Sequence, residues 1–224
     1  MVEEHPPWSY PARARELMQQ STSVLDMGTG GGERLLALHD AWPEKVAVTE
    51  DYAPNVKLVN ERLGPLGVQV TVVSLTRDGA MPFEGGEFDL VLNRHSGLNC
   101  AEVARVLTTG GTFLTQQIHG LWAQDLLAVF GATPQWPDST PEYYVPRMEA
   151  AGLSVETAEE WRGRLVFLDV GALVYYLRAV PWLVDGFSVD THTEHLIQLQ
   201  RRLERDGELV FEARKMLIEA RKAS

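Results

Sequence analysis

The most informative stretch of the sequence is Val24-Leu25-Asp26-Met27-Gly28-Thr29-Gly30-Gly31-Gly32-Glu33. An apolar run leads into a glycine-rich loop, and the leucines at 35, 36 and 38 then follow with helical spacing. Because glycine has no Cβ, the backbone amides of such a loop can lie close to a ligand, and a helix N-terminus favours anionic groups. The stretch therefore predicts a strand, a ligand-binding loop and a helix, in that order.

The glycine spacing separates two kinds of nucleotide-binding loop. In the dinucleotide-binding pattern G-x-G-x-x-G, Gly28 and Gly30 would be followed by a third glycine at position 33. That position is occupied by Glu33, so the spacing argues against a nicotinamide cofactor. The glycines instead form the pattern D-x-G-x-G-x-G, which begins at Asp26 and ends at Gly32.

Apolar strand patterns alternate with helical patterns along the chain, as expected of parallel β-α-β units. Seven strands are predicted: a run ending at residue 25, then 46–49, 68–73, 88–92, 112–117, 153–156 and 215–222. Helical spacing lies between them, for example at Val56, Val59 and Leu63. The sequence therefore predicts an α/β protein with an open sheet covered by helices.

Composition and charge are typical of a globular protein of the cytoplasm. The 224 residues include 31 acidic and 20 basic ones, and the net charge of −11 argues against a general nucleic-acid binder, which needs a concentrated basic surface. Cys100 is the single cysteine, so an internal disulfide is impossible. The N-terminus is acidic where an export signal is basic, and charged residues interrupt the apolar segment 165–184. Neither export nor a membrane span is predicted.

Further motifs follow the glycine loop in a recognisable order. Glu50 ends the second predicted strand, and Met81-Pro82-Phe83 precedes the fourth. Residues 102–113 contain Arg105-Val106-Leu107 and Gly110-Gly111. Together with D-x-G-x-G-x-G, these motifs resemble those of the class I S-adenosylmethionine (SAM)-dependent methyltransferases. The whole chain also resembles a group of bacterial stand-alone methyltransferases of undefined substrate.

The resemblance implies a fold and a domain organisation. It implies an α/β protein with a Rossmann-like, mixed sheet of seven strands, the seventh antiparallel, with helices on both faces and a helical cap. Residues 1–224 would form a single methyltransferase domain. Its parts would be a lid helix in 1–20, a Rossmann-like core in 21–157 and 209–224, and a helical insertion in 158–208.

SAM is the cofactor that the resemblance implies. Glu50 would accept the ribose hydroxyls and Tyr52 would stack on the adenine ring. Asp78 would accept a hydrogen bond from the adenine amino group, with a backbone carbonyl as the alternative acceptor. Asn93 and Arg94 would contact the methionine part, with an ion pair as the alternative for the arginine. The implied cofactor-binding residues are Asp26, Gly28, Thr29, Gly30, Gly32, Glu50, Asp51, Tyr52, Asp78, Asn93 and Arg94.

Two histidines that follow predicted strands are candidate bases. His95 comes after the fourth strand and His119 after the fifth, and a histidine of ordinary pKa, about 6.5, could take a proton from a methyl acceptor. Methyl transfer needs mainly in-line orientation, so the alternative is that no residue acts as a base. Asn93 stands where metal-dependent relatives have an acidic ligand, so no metal is predicted.

The predicted function is methyl transfer from SAM to a small, partly apolar metabolite, by a monomer or homodimer without a membrane partner. One alternative is an RNA methyltransferase that uses a local basic patch at Arg201, Arg202 and Arg205. The other is a SAM-binding sensor or scaffold protein without catalysis.

Overall fold

The structure is a computed structural model that describes residues 1–223. Its helices are α1 (Tyr10–Met18), α2 (Glu33–Leu36), α3 (Ala53–Leu63), α4 (Cys100–Val106), α5 (Gln124–Val129), α6 (Pro141–Ala150), α7 (Val170–Ala179) and α8 (Thr193–Asp206). Its strands are β1 (Val2–Glu3), β2 (Ser23–Met27), β3 (Lys45–Glu50), β4 (Gln69–Val72), β5 (Phe88–Arg94), β6 (Leu107–Ile118), β7 (Leu153–Phe167) and β8 (Leu209–Lys222). Short 3₁₀ helices occupy His39–Ala41 and Gly64–Leu66.

The strands form one mixed sheet, which in the described residues has the order β1-β7-β8-β6-β5-β2-β3-β4. β2 pairs in parallel with β3 and β5, and these in turn pair in parallel with β4 and β6. β8 runs antiparallel to β6, because Lys222 near its end contacts Leu107 at the start of β6, whereas Arg214 contacts His119 just beyond the end of β6. The predicted mixed α/β sheet with an antiparallel last strand is confirmed.

The sheet of the described chain has eight strands rather than the predicted seven. The additional strand is β1, in which Val2 pairs with Val166 and Glu3 with Leu165 of β7 in antiparallel register. Two residues are too few to show a hydrophobic period, so the sequence gives no local signal for this strand.

β7 is also longer than predicted. It runs from residue 153 to 167, whereas the apolar pattern predicts a strand that ends at residue 156. The predicted start of the helical segment at residue 158 lies inside β7, and the helices begin only at Val170. Side chains of β7 around Trp161 alternate between exposed and half-buried. This part of the strand contains charged residues on its exposed face, so it shows no continuous apolar run in the sequence.

The chain divides into two compact units. The larger unit contains Trp8–Gln117, Pro141–Glu159 and the chain from Met216 onward, and the smaller unit contains Met1–Pro7, Ile118–Thr140 and Glu160–Lys215. In the larger unit, Val24 and Leu25 of β2 belong to two different hydrophobic clusters. Because successive strand residues point to opposite faces, this part of the sheet is covered on both sides. In the smaller unit, one cluster includes Leu165, Phe167, Leu173 and Phe211.

Helix α1, the predicted lid helix, is packed into the larger unit. Ser9 caps its N-terminus, and its buried residues are Tyr10, Ala14, Leu17 and Met18. The guanidinium of Arg13 donates two hydrogen bonds to the buried Glu219 carboxylate, at 2.8 Å from Nε and 2.6 Å from Nη2. Burial and a bidentate ion pair therefore hold α1 in place.

Candidate active site

The glycine loop leaves the carboxyl end of β2 in the larger unit. Gly28, Gly30 and Gly32 have φ angles of 64°, 67° and 84°, in the left-handed region that side chains disfavour. A Cβ at Gly28 would collide with Ser96, whereas a Cβ at Gly30 would meet no atom of the described chain within 4 Å. The loop is tied to β3 by the Gly28 N–H, which donates to Thr49 Oγ1 at 3.0 Å. Open space therefore lies beside a loop whose backbone is fixed.

Asp26 lies at the end of β2 in a partly buried position. Burial raises the pKa of its carboxyl to about 6, although the nearby Thr29 hydroxyl and the charge of Arg94 lower it in part. The Thr29 hydroxyl is close to Asp26 but forms no hydrogen bond of standard geometry with any described residue. A desolvated carboxylate at a strand end favours a cationic ligand group that would replace the lost hydration.

The buried hydroxyl of Tyr10, from α1, joins this group. It has no hydrogen-bond partner in residues 1–223, although the Asn93 backbone N–H lies nearby. Burial raises the pKa of Tyr10 well above its usual value, and the Asp26 carboxylate raises it further, against the effect of Arg94. An unpartnered buried hydroxyl costs about 1–3 kcal/mol, which a ligand atom could recover. No local sequence pattern relates Tyr10 to Asp26, so the sequence does not predict Tyr10 as a site residue.

Glu50 ends β3 with a buried carboxylate, as the sequence analysis placed it. Its Oε1 accepts hydrogen bonds from the backbone N–H groups of Asp51 and Tyr52, both at 3.0 Å. These two amides fix the orientation of the carboxylate. The side chain of Tyr52 is 62% exposed, so its ring is accessible to a ligand from solution, as a stacking role requires.

Asn93 is buried and forms several internal hydrogen bonds, and its predicted contact with the cofactor stays a prediction. Its side chain is 0% exposed. Its amide nitrogen donates to Ser96 Oγ at 3.0 Å and to Gly97 O at 3.3 Å. Its Oδ1 accepts a hydrogen bond from Thr115 Oγ1 at 3.2 Å and another from the Gln117 amide. The polar atoms of Asn93 are thus used in holding the loop that follows β5.

The loop after β4, which contains Asp78, is tied to the loop after β5. A Cβ at Gly97 would collide with the carbonyl oxygen of Leu75, and Asn99 Nδ2 donates to Gly79 O at 3.1 Å. Asp78 is exposed beside these contacts. Its predicted role toward adenine stays a prediction.

His95 follows β5 at the same sheet edge as Asp26, since β2 and β5 are parallel neighbours. Its φ of 62° lies in the left-handed region, which is uncommon for a non-glycine residue and frequent at functional sites. The His95 N–H donates to the Gln116 carbonyl at 3.0 Å, and the two side chains approach at 3.4 Å between their Nε2 atoms. The imidazole itself is exposed.

His119 belongs to the smaller unit and is buried, with 5% of its surface exposed. Its Nδ1 accepts a hydrogen bond from the Leu121 N–H at 3.1 Å, and its Nε2 lies 2.9 Å from Glu160 Oε1. The Nδ1 lone pair is therefore occupied, and Nε2 carries the proton that faces the carboxylate. Both ring nitrogens of His119 are thus engaged by neighbouring groups, and its predicted role as a base stays a prediction. His95, whose imidazole is exposed, is the more accessible of the two candidate bases.

Three further features bear on the chemistry of the chain. Among residues 1–223, no group of three or more His, Cys, Asp or Glu side chains is arranged to hold a metal ion. In the same range, every helix is too short or too polar to cross a membrane. Cys100 is buried, and burial raises the pKa of its thiol to about 11, so this thiol is a packing group.

Comparisons with known proteins agree with the fold. Residues 25–115 match the family model described as a methyltransferase domain. The Bacillus halodurans protein BH2331, named as a candidate methyltransferase, matches with a TM-score of 0.65 and 17% identity, over 96% of this chain and 97% of its own. YcgJ of Bacillus subtilis matches with a TM-score of 0.64 and 16% identity, over 96% and 98% of the two chains. None of the curated proteins gave a match.

A third solved structure is a geranyl diphosphate methyltransferase in complex with SAM. It matches with a TM-score of 0.56 and 22% identity, over 95% of this chain and 85% of its own. At such identities the likeness concerns the fold, which is Rossmann-like. Residues 25–115 thus match a methyltransferase-domain model, and the predicted resemblance of the chain to methyltransferases is confirmed.

Proposed function

We propose that this protein transfers a methyl group from SAM to a small-molecule acceptor. The observation that carries the proposal is the grouping of three features at the carboxyl ends of the parallel strands. They are the open space at Gly30, the buried and oriented Glu50 carboxylate, and the unpartnered Tyr10 hydroxyl. Doubly wound folds bind their ligands at this edge of the sheet.

The residues at this edge fit the parts of SAM. The Glu50 carboxylate suits the two ribose hydroxyls, because one of its oxygens is already fixed by backbone amides. The Asp26 carboxylate suits the ammonium group, and the Tyr10 hydroxyl and Arg94 suit the carboxylate of the methionine part. Exposed Tyr52 suits the adenine ring. When bound, SAM supplies a methyl group that its sulfonium has already activated.

The protein's own contribution is to orient the acceptor and to remove its proton where necessary. Orientation of two reactants can supply about 7–11 kcal/mol in the best cases. His95 is the candidate base for a hydroxyl or protonated amine, because its imidazole is exposed at the edge where Asp26 lies.

A small, partly apolar acceptor agrees best with the charge of the chain. The net charge of −11 opposes binding of polyanions. The proposed basic patch on α8 is partly neutralised, since Arg205 forms an ion pair with Asp206 at 2.8 Å. One structural neighbour is named as a geranyl diphosphate methyltransferase, so the fold also occurs in a protein named for a small-molecule acceptor.

The test is transfer of a labelled methyl group. Purified protein and methyl-labelled SAM are incubated with a protein-free metabolite extract, and in parallel with bulk RNA from the same cells. The proposal predicts label in the metabolite fraction, with loss of transfer in Asp26→Ala and normal transfer in the surface variant Lys57→Ala. Label in RNA alone would contradict the small-molecule acceptor.

A SAM-binding protein without methyl transfer is the second candidate. It is favoured by His119, whose ring nitrogens are both engaged, so that the site depends on His95 alone for a base. Tight SAM binding with no label in either fraction, across pH 6 to 9, would support this candidate over the enzyme.

A further inference from the structure

We propose that Gln116, itself oriented by Trp8, holds His95 as the neutral tautomer with its proton on Nδ1 and its lone pair on Nε2. This makes Gln116 a positioning residue for the candidate base. The inference rests on the proposed function only for its catalytic consequence, because the tautomer is a property of the protein alone.

The first step is the orientation of the Gln116 amide. Trp8 Nε1 donates a hydrogen bond to Gln116 Oε1 at 2.9 Å. An indole N–H can only donate, so the atom that faces Trp8 must be the amide oxygen. The amide NH₂ group is thereby turned to the other side, where His95 lies.

The Gln116 amide decides which ring nitrogen of His95 carries the proton. Gln116 Nε2 lies 3.4 Å from His95 Nε2, and an amide NH₂ group can only donate. The imidazole must therefore accept at Nε2, which places the ring proton on Nδ1. A proton on Nε2 would set two donors against each other, so this contact favours the neutral ring.

Gln116 is held rigidly, because it lies in the interior of the sheet. Gln116 is 5% exposed and lies in β6, in register with Arg94 of β5. The Gln116 carbonyl also accepts a hydrogen bond from the His95 N–H at 3.0 Å. This bond helps to hold His95 in its left-handed backbone conformation. One residue of a central strand thus holds both the main chain and the side chain of His95.

The chemical consequence is a lone pair at Nε2 that accepts a long hydrogen bond from the Gln116 amide. An acceptor hydroxyl can displace that bond: its O–H bond breaks, the proton binds Nε2, and the oxygen keeps the electron pair for attack. The resulting imidazolium directs an N–H at the Gln116 N–H, which favours release of the proton from the exposed ring to water. The arrangement thus suits acceptors that carry a hydroxyl or a protonated amine.

The test is the tautomer of His95, read by long-range proton–nitrogen correlation NMR of full-length, ¹⁵N-histidine-labelled protein at pH 8. The His95→Gln spectrum assigns the signal. Wild-type protein is expected to show the Nδ1–H form. Gln116→Glu, whose carboxylate can only accept, is expected to give the Nε2–H form or the imidazolium. Trp8→Phe, which removes the donor that orients the amide, is expected to lose the exclusive Nδ1–H signature.

His119 is an internal control in each spectrum, because its contacts require the Nε2–H form in all three proteins. An Nε2–H signal for His95 in the wild type would overturn the proposal. An Nδ1–H signal that stays unchanged in Gln116→Glu would overturn it as well. A protein that fails to bind SAM but shows the predicted tautomers would refute the proposed function and leave this inference standing.

Discussion

Replacing Asp26 by Asn is expected to stabilise the ligand-free protein and to abolish its affinity for SAM. Burial raises the pKa of this carboxyl from its usual 3.8 to about 6. Because the folded-state pKa is raised, the unfolded chain loses this proton first as the pH increases. Stability therefore falls between about pH 4 and pH 6 and then stays lower.

The size of the effect follows from the pKa difference. Each unit corresponds to about 1.36 kcal/mol, so two units destabilise the folded state by about 3 kcal/mol above pH 7 and by about half as much at pH 5. The Asn side chain carries no charge and removes this penalty. Such a penalty is expected at a residue kept for ligand binding at the expense of stability.

The assay is urea unfolding at pH 5 and pH 7.5 without ligand, with Asp89→Asn as the matched control. Burial would raise the pKa of Asp89, but hydrogen bonds from Thr22 and Ser23 lower it overall. Asp89→Asn should therefore destabilise the protein at both pH values. A loss of stability in Asp26→Asn at pH 7.5 would refute the argument that this carboxylate is held at a cost to the fold.

Three other substitutions or conditions give separate expectations. Gly28→Ala should lower the melting temperature more than Gly30→Ala, because both have positive φ but only the first collides with Ser96; equal losses would contradict the loop geometry. Glu219→Gln should reduce the free energy of unfolding in urea by about 1–3 kcal/mol, because it weakens the charged hydrogen bonds that hold Arg13 of α1. SAM affinity measured by calorimetry should fall roughly tenfold from pH 7.5 to pH 5 as Asp26 is protonated; a flat profile would exclude its pairing with the ammonium group.

The parts of the site that the sequence predicts are those encoded by short spacing. Residues 26–32 lie in one strand-loop-helix unit, and their pattern is visible because a ligand-binding turn needs glycine at fixed positions. Glu50 is predictable for a similar reason. It is the last residue of a parallel strand, and ligands of such sheets bind at the carboxyl ends of the strands.

The parts that the sequence does not predict depend on contacts between distant residues. Tyr10 is close enough to Asp26 to feel its charge because α1 packs on the sheet. The ion pair between Arg13 and Glu219 likewise joins residues 206 positions apart. Asn93 lies one residue before the end of β5, and no local pattern predicts its hydrogen bonds with Thr115 and Gln117 of β6. Whether a polar side chain faces a ligand or a neighbouring strand is decided by tertiary packing, which no local period records.

Whether SAM binds at the carboxyl end of β3 is best measured by calorimetric titration of wild-type protein and the Glu50→Gln variant with SAM. Glu87→Gln is the matched control, because Glu87 forms an ion pair with Lys45 near the amino ends of the strands. We expect binding to wild type and to Glu87→Gln, and at least about tenfold weaker binding to Glu50→Gln, or about 1.4 kcal/mol. No binding to folded wild-type protein, or equal binding to all three, would contradict the assignment of this sheet edge as the SAM site.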